Sequence, residues 1–131
     1  MKGLWRLLIF PVGACLLLTS CQPRKTGLFS SMTFEGGSAQ GIEMFLVRGG
    51  EKFGQLDDYF AYVQCANGVP GLPALLKVSM ESYEVTIPAV QDIRANCPAG
   101  EFHGTVSFDG IVGSFADGRE IKLERRDSVW E

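Results

Sequence analysis

The sequence predicts an all-β fold, a small antiparallel meander that closes into a barrel or sandwich of about eight strands. Two observations carry the prediction. Apolar and polar residues alternate with period two through most of the chain. Glycine-containing pairs, namely Gly36-Gly37, Gly49-Gly50, Asn67-Gly68, Pro70-Gly71, Asp109-Gly110 and Asp117-Gly118, interrupt that alternation at short intervals, as tight turns do.

Residues 27–34, 42–48 and 58–65 are apolar on both faces. That predicts strands placed centrally, or strands with one face against a partner or a cavity. In the third segment Tyr59, Ala61, Val63 and Cys65 share one face, opposite Phe60, Tyr62 and Gln64. Leu76, Val78 and Met80 then alternate with Lys77 and Ser79, and Tyr83, Val85 and Ile87 alternate with Glu84 and Thr86. The stretch PAVQDIRAN, 88–96, predicts a helical turn or two, because Pro88 suits a first helical position and Val90, Ile93 and Arg94 have helical spacing. Phe102, Gly104, Val106 and Phe108 share a strand face opposite His103, Thr105 and Ser107. The two Asp-Gly pairs bracket residues 111–116 and predict successive hairpins, and Ile121 and Leu123 form the apolar face of a last strand. Met32, Met44 and Met80 are expected in the core. Arg125-Arg126 reads as a charged flank that protects an edge strand from aggregation, with a binding edge as the alternative.

The start of the chain has another pattern. MKGLWR supplies Lys2 and Arg6, and residues 7–18, LLIFPVGACLLL, form an uncharged apolar run of 12. A bilayer span needs about 20 such residues, whereas a signal-peptide core needs about this length. Pro11 and Gly13 would weaken the same run as a buried helix.

Leu18-Thr19-Ser20-Cys21 resembles the lipobox of bacterial lipoproteins. In that class the cysteine thiol receives a diacylglyceryl group, the signal is cut before the cysteine, and the new amino terminus is acylated. The resemblance implies a cleaved signal at 1–20; behind it, the polar, Pro23-containing stretch makes 21–26 a short tether, and length and period-two alternation make 27–131 one β domain. The resemblance also places lipid on Cys21 and the domain in the bacterial envelope, with the membrane as its first partner. One acyl chain binds only marginally at about 0.8 kcal/mol per CH₂, so several chains on one residue make a lasting anchor. Gln22 stands where inner-membrane lipoproteins of enteric bacteria often carry Asp, which points to the outer membrane and a periplasm-facing domain.

On that reading Cys15 leaves with the signal and Cys21 carries lipid, so of four cysteines only Cys65 and Cys97 remain. In an oxidising periplasm such a pair is expected to form a disulfide. Two free thiols or a metal pair are the alternatives, with no CxxC or Cys/His cluster behind them.

Losing Lys2 and Arg6 takes the Lys and Arg count from 12 to 10 against 15 Asp and Glu, a net of −5. That excess of acid argues against nucleic acid as a partner. Candidate chemistry is sparse. His103 is the single histidine, and Ser107 on its face is four residues away, roughly 13 Å along a strand. No G-x-S-x-G elbow, phosphate loop or calcium loop is present, and Asp109 and Asp117 suit turns. No catalytic residue, cofactor or metal is therefore predicted. The sequence reads as a non-enzymatic envelope lipoprotein whose β domain binds an envelope protein or glycan, or lends structural support. A hydrolase inhibitor is a sharper version: membrane-bound lysozyme inhibitors are similar small disulfide-bonded β lipoproteins, although the Ser-Gly pair of their inhibitory loop is missing here. A small hydrolase using His103 is the rival. A carrier with Phe29, Phe45, Phe60 and Tyr62 around a cavity is the third expectation.

Overall fold

The computed structural model describes residues 21–49 and 58–126; the lipobox residues Leu18, Thr19 and Ser20 lie outside them. The described residues form nine strands and one short 3-10 turn: β1 (Gly27–Ser30), β2 (Thr33–Glu35), β3 (Ser38–Arg48), β4 (Tyr59–Pro70), β5 (Ala74–Glu81), β6 (Glu84–Ile87), the turn Ile93–Ala95, β7 (Phe102–Val106), β8 (Gly110–Phe115) and β9 (Glu120–Arg126). From β3 to β9 each strand pairs antiparallel with the next, and β1 joins both β9 and β3. The meander is thus a closed eight-stranded barrel, not a sandwich. β2 is the additional strand. It continues the register of β1 on β3, from Gly27↔Leu46 through Ser30↔Glu43 to Thr33↔Gln40 and Glu35↔Ser38, so β1 and β2 are one hairpin arm interrupted at Ser31 and Met32.

The period-two alternation fills the barrel. Phe29, Met44, Leu46, Ala61, Val63, Cys65, Val78, Val85, Ile87, Phe102, Val106, Ile111 and Leu123 point inward and are buried. Gly104 faces Gly113 across β7 and β8, and a Cβ on either would strike the Phe102 ring. The glycine pair therefore makes room for Phe102, which packs on Phe115 with ring centroids 5.2 Å apart. The void beside Met44, Val63 and Phe102 is about 10 Å³, room for one water at most. Of the four aromatics expected around a cavity, only Phe29 faces inward. Phe45 and Tyr62 pair on the outer face, about half exposed at 44% and 51%, and Phe60 points the same way. The interior is a packed core and not a carrier's cavity.

Several local expectations change. Asn67-Gly68 is not a turn; both residues lie inside β4, and Gly68 takes a left-handed φ of 89° there. Residues 88–96 form no regular element apart from the 3-10 turn Ile93–Ala95, so Pro88 begins no helix. Phe108 leaves the face of Phe102 and Val106 to sit exposed in the β7–β8 turn. Tyr83 belongs to the two-residue β5–β6 turn, whose first residue, Ser82, has φ 54°. Of the three methionines expected in the core, Met44 is fully buried, Met80 packs on the core from its edge, and Met32 is half-buried at the arm's interruption. Arg125 does not flank an edge, because residues 124–126 are paired on one side with β1 and Glu124 on the other with β8.

One end of the barrel, the floor, carries the tether, the ends of β3 and β9, and the turns at Ser82 and Phe108. The opposite end, the mouth, carries the β2–β3 hairpin, the β4–β5 loop, residues 88–101 and the turn at Asp117. Arg125 closes the floor. Its guanidinium stacks 4.6 Å from the centroid of Phe29. It donates to the carbonyls of Thr26 at 3.0 Å, Arg24 at 2.6 Å, Ser107 at 3.0 Å and Phe108 at 3.3 Å. The rigid fork of donors suits arginine to this role. Lys25 adds a cation–π contact, with its ammonium 5.1 Å from the Tyr83 centroid.

Candidate functional site

The mouth is open because the first strand peels away from the last. Ser30 is the one buried polar residue among the described ones, and its Oγ accepts the N–H of Met32 at 3.0 Å. That N–H is next in line to face β9, so the hydroxyl ends the β1–β9 ladder at Ser30↔Glu124. Ser31 turns toward β3 instead: its N–H donates to the Ile42 carbonyl at 2.8 Å, and its Oγ accepts the Ile42 N–H at 3.0 Å. Gly41, with φ 119°, lies where a Cβ would collide with the Ser31 backbone. A glycine is required for this close approach.

Above the core, β3 and β4 continue past the rim. The inward side of the ladder then changes from Ile42 and Cys65 to Gln40 and Asn67. Opposite this arm stands the segment after β6, stapled to it by the Cys65–Cys97 disulfide with Cα atoms 5.2 Å apart. The same segment docks through the Leu72 N–H, which donates to the Arg94 carbonyl at 3.1 Å. Gly71 sits so close to the Ala95 carbonyl that no Cβ fits. Asp92 opens the 3-10 turn by accepting the Arg94 N–H at 2.9 Å, and Asn96 closes it in the left-handed conformation at φ 57°. The Arg94 side chain, hydrogen-bonded to Asp92 at 2.8 and 3.1 Å, holds the Asp92 carboxyl below its ordinary pKa.

Between arm and segment lies a cleft of about 490 Å³. The inner strand faces and the disulfide form its base, and Gln40, Asn67, Asn96 and Arg119 form its polar wall. Its lining carries one cation and no carboxylate, in a chain whose net charge is −3. Three carboxamides and a guanidinium converge there with donors and acceptors exposed, which suits recognition of a polar or anionic group.

The sequence-predicted residues separate in space. Cys65 and Cys97 form the disulfide at the mouth. Cys21 is an exposed free thiol that begins the tether on the floor side. His103 points outward from β7, 60% exposed, with Nε2 3.2 Å from Glu101 Oε2 and Nδ1 3.2 Å from Thr86 Oγ1. The tautomer protonated on Nε2 satisfies both contacts, donating to Glu101 and accepting from the Thr86 hydroxyl. This carboxylate–imidazole–hydroxyl row lies on an open sheet face, and Ser107 is not part of it; the Ser107 Oγ donates to the Gly110 carbonyl at 3.1 Å. Asp109 and Asp117 are in turns, and Asp117 accepts the Arg119 N–H at 2.9 Å. Among the described residues no group of three or more His, Cys, Asp or Glu converges on a metal-sized site.

The cleft residues Gln40, Asn67, Asn96 and Arg119 were not expected from the sequence. One signal was available for two of them. Gln40 has the parity of Ile42, Met44 and Leu46, and Asn67 that of Ala61, Val63 and Cys65, so each places an amide on an inward face. Asn96 and Arg119 reach the cleft from loops whose course no periodicity predicts. No protein-family model, no curated protein and no solved structure matches the chain.

Proposed function

We propose that this protein is a lipid-anchored, non-enzymatic binding module of the bacterial envelope. Cys21 carries the lipid, and the barrel presents its mouth to a partner. The observation that carries this reading is the opposition of the two ends. The tether that begins at Cys21 is clasped to the floor by Arg125, and the polar cleft opens at the far end. Six residues from Cys21 to Thr26 span at most about 20 Å, so lipid on Cys21 holds the floor near the bilayer and turns the mouth to the periplasm.

The non-enzymatic reading rests on where the acid–base groups stand. The Glu101–His103–Thr86 row is exposed, and the hollow of about 210 Å³ beside it, lined by Glu84, Thr86, His103, Thr105 and Val112 among others, brings no serine or cysteine nucleophile and no cationic donor for a developing oxyanion to the imidazole. The cleft offers hydrogen-bonding groups without a nucleophile and base in contact. A hydrolase, lysozyme among them, is one partner such a mouth could engage, and a lysozyme protection assay with the purified protein tests that version.

The anchor is tested by expressing the whole chain with radiolabelled palmitate. The parent is expected to incorporate label and shorten by the 20 residues before Cys21. Cys21→Ala is expected to stay unlabelled and full-length. Equal labelling of the two would defeat the lipid assignment.

A further inference from the structure

We propose that the seam between β2 and β9 is a docking site for an extended segment of a partner polypeptide, which adds as a strand to the free edge of β9 at Glu120 and Lys122. The inference rests on the reading of the mouth as the partner-binding end, and adds to it the mode of recognition and the class of partner.

The edge follows from the register. β1 pairs with Glu124, Arg125 and Arg126, whereas residues 120–123 have no neighbour on that side among the described residues. Peptide groups alternate in direction along a strand. The Arg125 N–H donates toward β8, to the Asp109 carbonyl at 2.8 Å, and the Arg119 carbonyl also points that way, accepting the Phe115 N–H at 2.9 Å. Lys122 and Glu120 are out of phase with both, so their N–H and C=O groups face the seam. β2 stands across it, and among the described residues it pairs only with β3. Ser31 directs its N–H toward β3, and by the same alternation the peptide groups of Phe34 face the seam. The Ser30 hydroxyl, by taking the Met32 N–H, keeps the two edges from closing on each other.

A hollow flanks the seam on either side. The cleft of about 490 Å³, with Ile121 and Arg119 in its lining, lies on the inner side of the seam. A second hollow of about 260 Å³, lined by Met32, Thr33, Lys122 and Glu124, lies on the outer side. Both include Ser31. Successive side chains of an added strand would enter the two spaces alternately. The inner one selects for acidic or amide side chains, because Arg119 and the amides of Gln40, Asn67 and Asn96 line it and no carboxylate does. A glycan is the weaker candidate: the lining holds no aromatic ring to stack on a sugar, and a glycan leaves the edge peptide groups unpaired.

The test uses the processed full-length protein and an acetylated octapeptide of alternating Thr and Glu. Addition of the peptide is expected to slow amide exchange at Glu120 and Lys122. Lys122→Pro removes a seam-facing N–H that no barrel pairing uses, so the fold should tolerate it. It should weaken binding about tenfold or more. Lys122→Ala keeps the donor and should bind within about threefold of the parent. The same peptide N-methylated at alternate residues should not bind, a result that holds even if the proline variant misfolds. Equal binding of the methylated peptide, or protection elsewhere than 120–122, would overturn the inference. If the peptide fails and a glucuronic-acid disaccharide instead shifts the Arg119 and Asn96 resonances, strand addition is overturned and the mouth remains the binding end. If neither ligand perturbs the mouth, both readings fall.

Discussion

The two ends of the barrel solve the same problem differently. A closed sheet leaves a hole at each end through which water can reach the core. At the floor one side chain closes it: Arg125 lies over Phe29 and draws the tether and the β7–β8 turn together through four carbonyls. At the mouth, among the described residues, no single side chain plays the part of Arg125. A separate segment is laid over the core and held by a disulfide, close glycine contacts at Gly71 and Gly100, and backbone hydrogen bonds from the Leu72 and Ala116 N–H groups to the Arg94 and Glu101 carbonyls. A plug makes an end compact and shut. A stapled flap leaves space beside it, and that space is the cleft. An eight-stranded barrel with a packed interior can thus still carry a site at its rim.

The largest expected effect falls on the staple. Cys65 and Cys97 are 32 residues apart, and opening that loop in Cys65→Ala/Cys97→Ala should cost about 3–4 kcal/mol in the chain-entropy account. A urea titration reads the total. Amide exchange reads its distribution, with faster exchange at Leu72 and residues 93–97 and the floor amides changed only through global unfolding. If the urea midpoint does not move, the flap is held by its other contacts and the comparison with the floor fails.

The floor is tested next. Arg125→Met keeps an aliphatic body over Phe29 and removes every donor to the four carbonyls. Water can reach some of them, so the expected loss is about 2 kcal/mol. Arg125→Lys should recover little of it, because an ammonium cannot span the fork. Tether release gives a second readout: trypsin should cut after Arg24 or Lys25 faster in both variants than in the parent. Unchanged cleavage would show that the clasp does not hold the tether.

The plug and the flap were unequally legible in the sequence. The all-β class was readable because inward and outward residues alternate with a period that a barrel wall enforces, and burial alternates cleanly along β5, β6, β7 and β9. The cysteine pairing was readable because the lipobox resemblance removed two of four candidates. Arg125 was read as an edge guard, since nothing local shows that the last strand returns to the first. Barrel closure is a long-range property, and the contacts of Arg125 with Arg24 span 101 residues. Asn67-Gly68 was read as a turn because the pair has the chemistry of one, yet the β3–β4 ladder runs through Ala39↔Gly68 and overrides that preference. The cleft was hidden for the same reason as the plug. Its lining comes from five separate stretches of chain, and only the inward parity of Gln40 and Asn67 marked it.

The smallest effect sharpens the comparison by pH. The floor's four carbonyl acceptors carry no titratable proton, whereas the flap's 3-10 turn opens on a carboxylate. Arg94 lowers the Asp92 pKa from its ordinary value of 3.8, first through the side-chain hydrogen bond and then through the Arg94 N–H. A carboxyl depressed in the folded state stabilises above its unfolded pKa, and that contribution fades as pH falls through the folded one. The turn should therefore be constant above about pH 5 and loosen below about pH 4. The Leu72 amide reports it, because its N–H donates to the Arg94 carbonyl. Its chemical shift should titrate in acid in the parent. Asp92→Asn keeps an oxygen for the Arg94 N–H and removes the charge, so the shift should be flat across the same range. Both groups are exposed, so global stability should hardly change and only the local signal should move. A Leu72 signal that titrates equally in Asp92→Asn would assign the acid response to some other carboxylate, and the flap would then owe nothing to its charged cap.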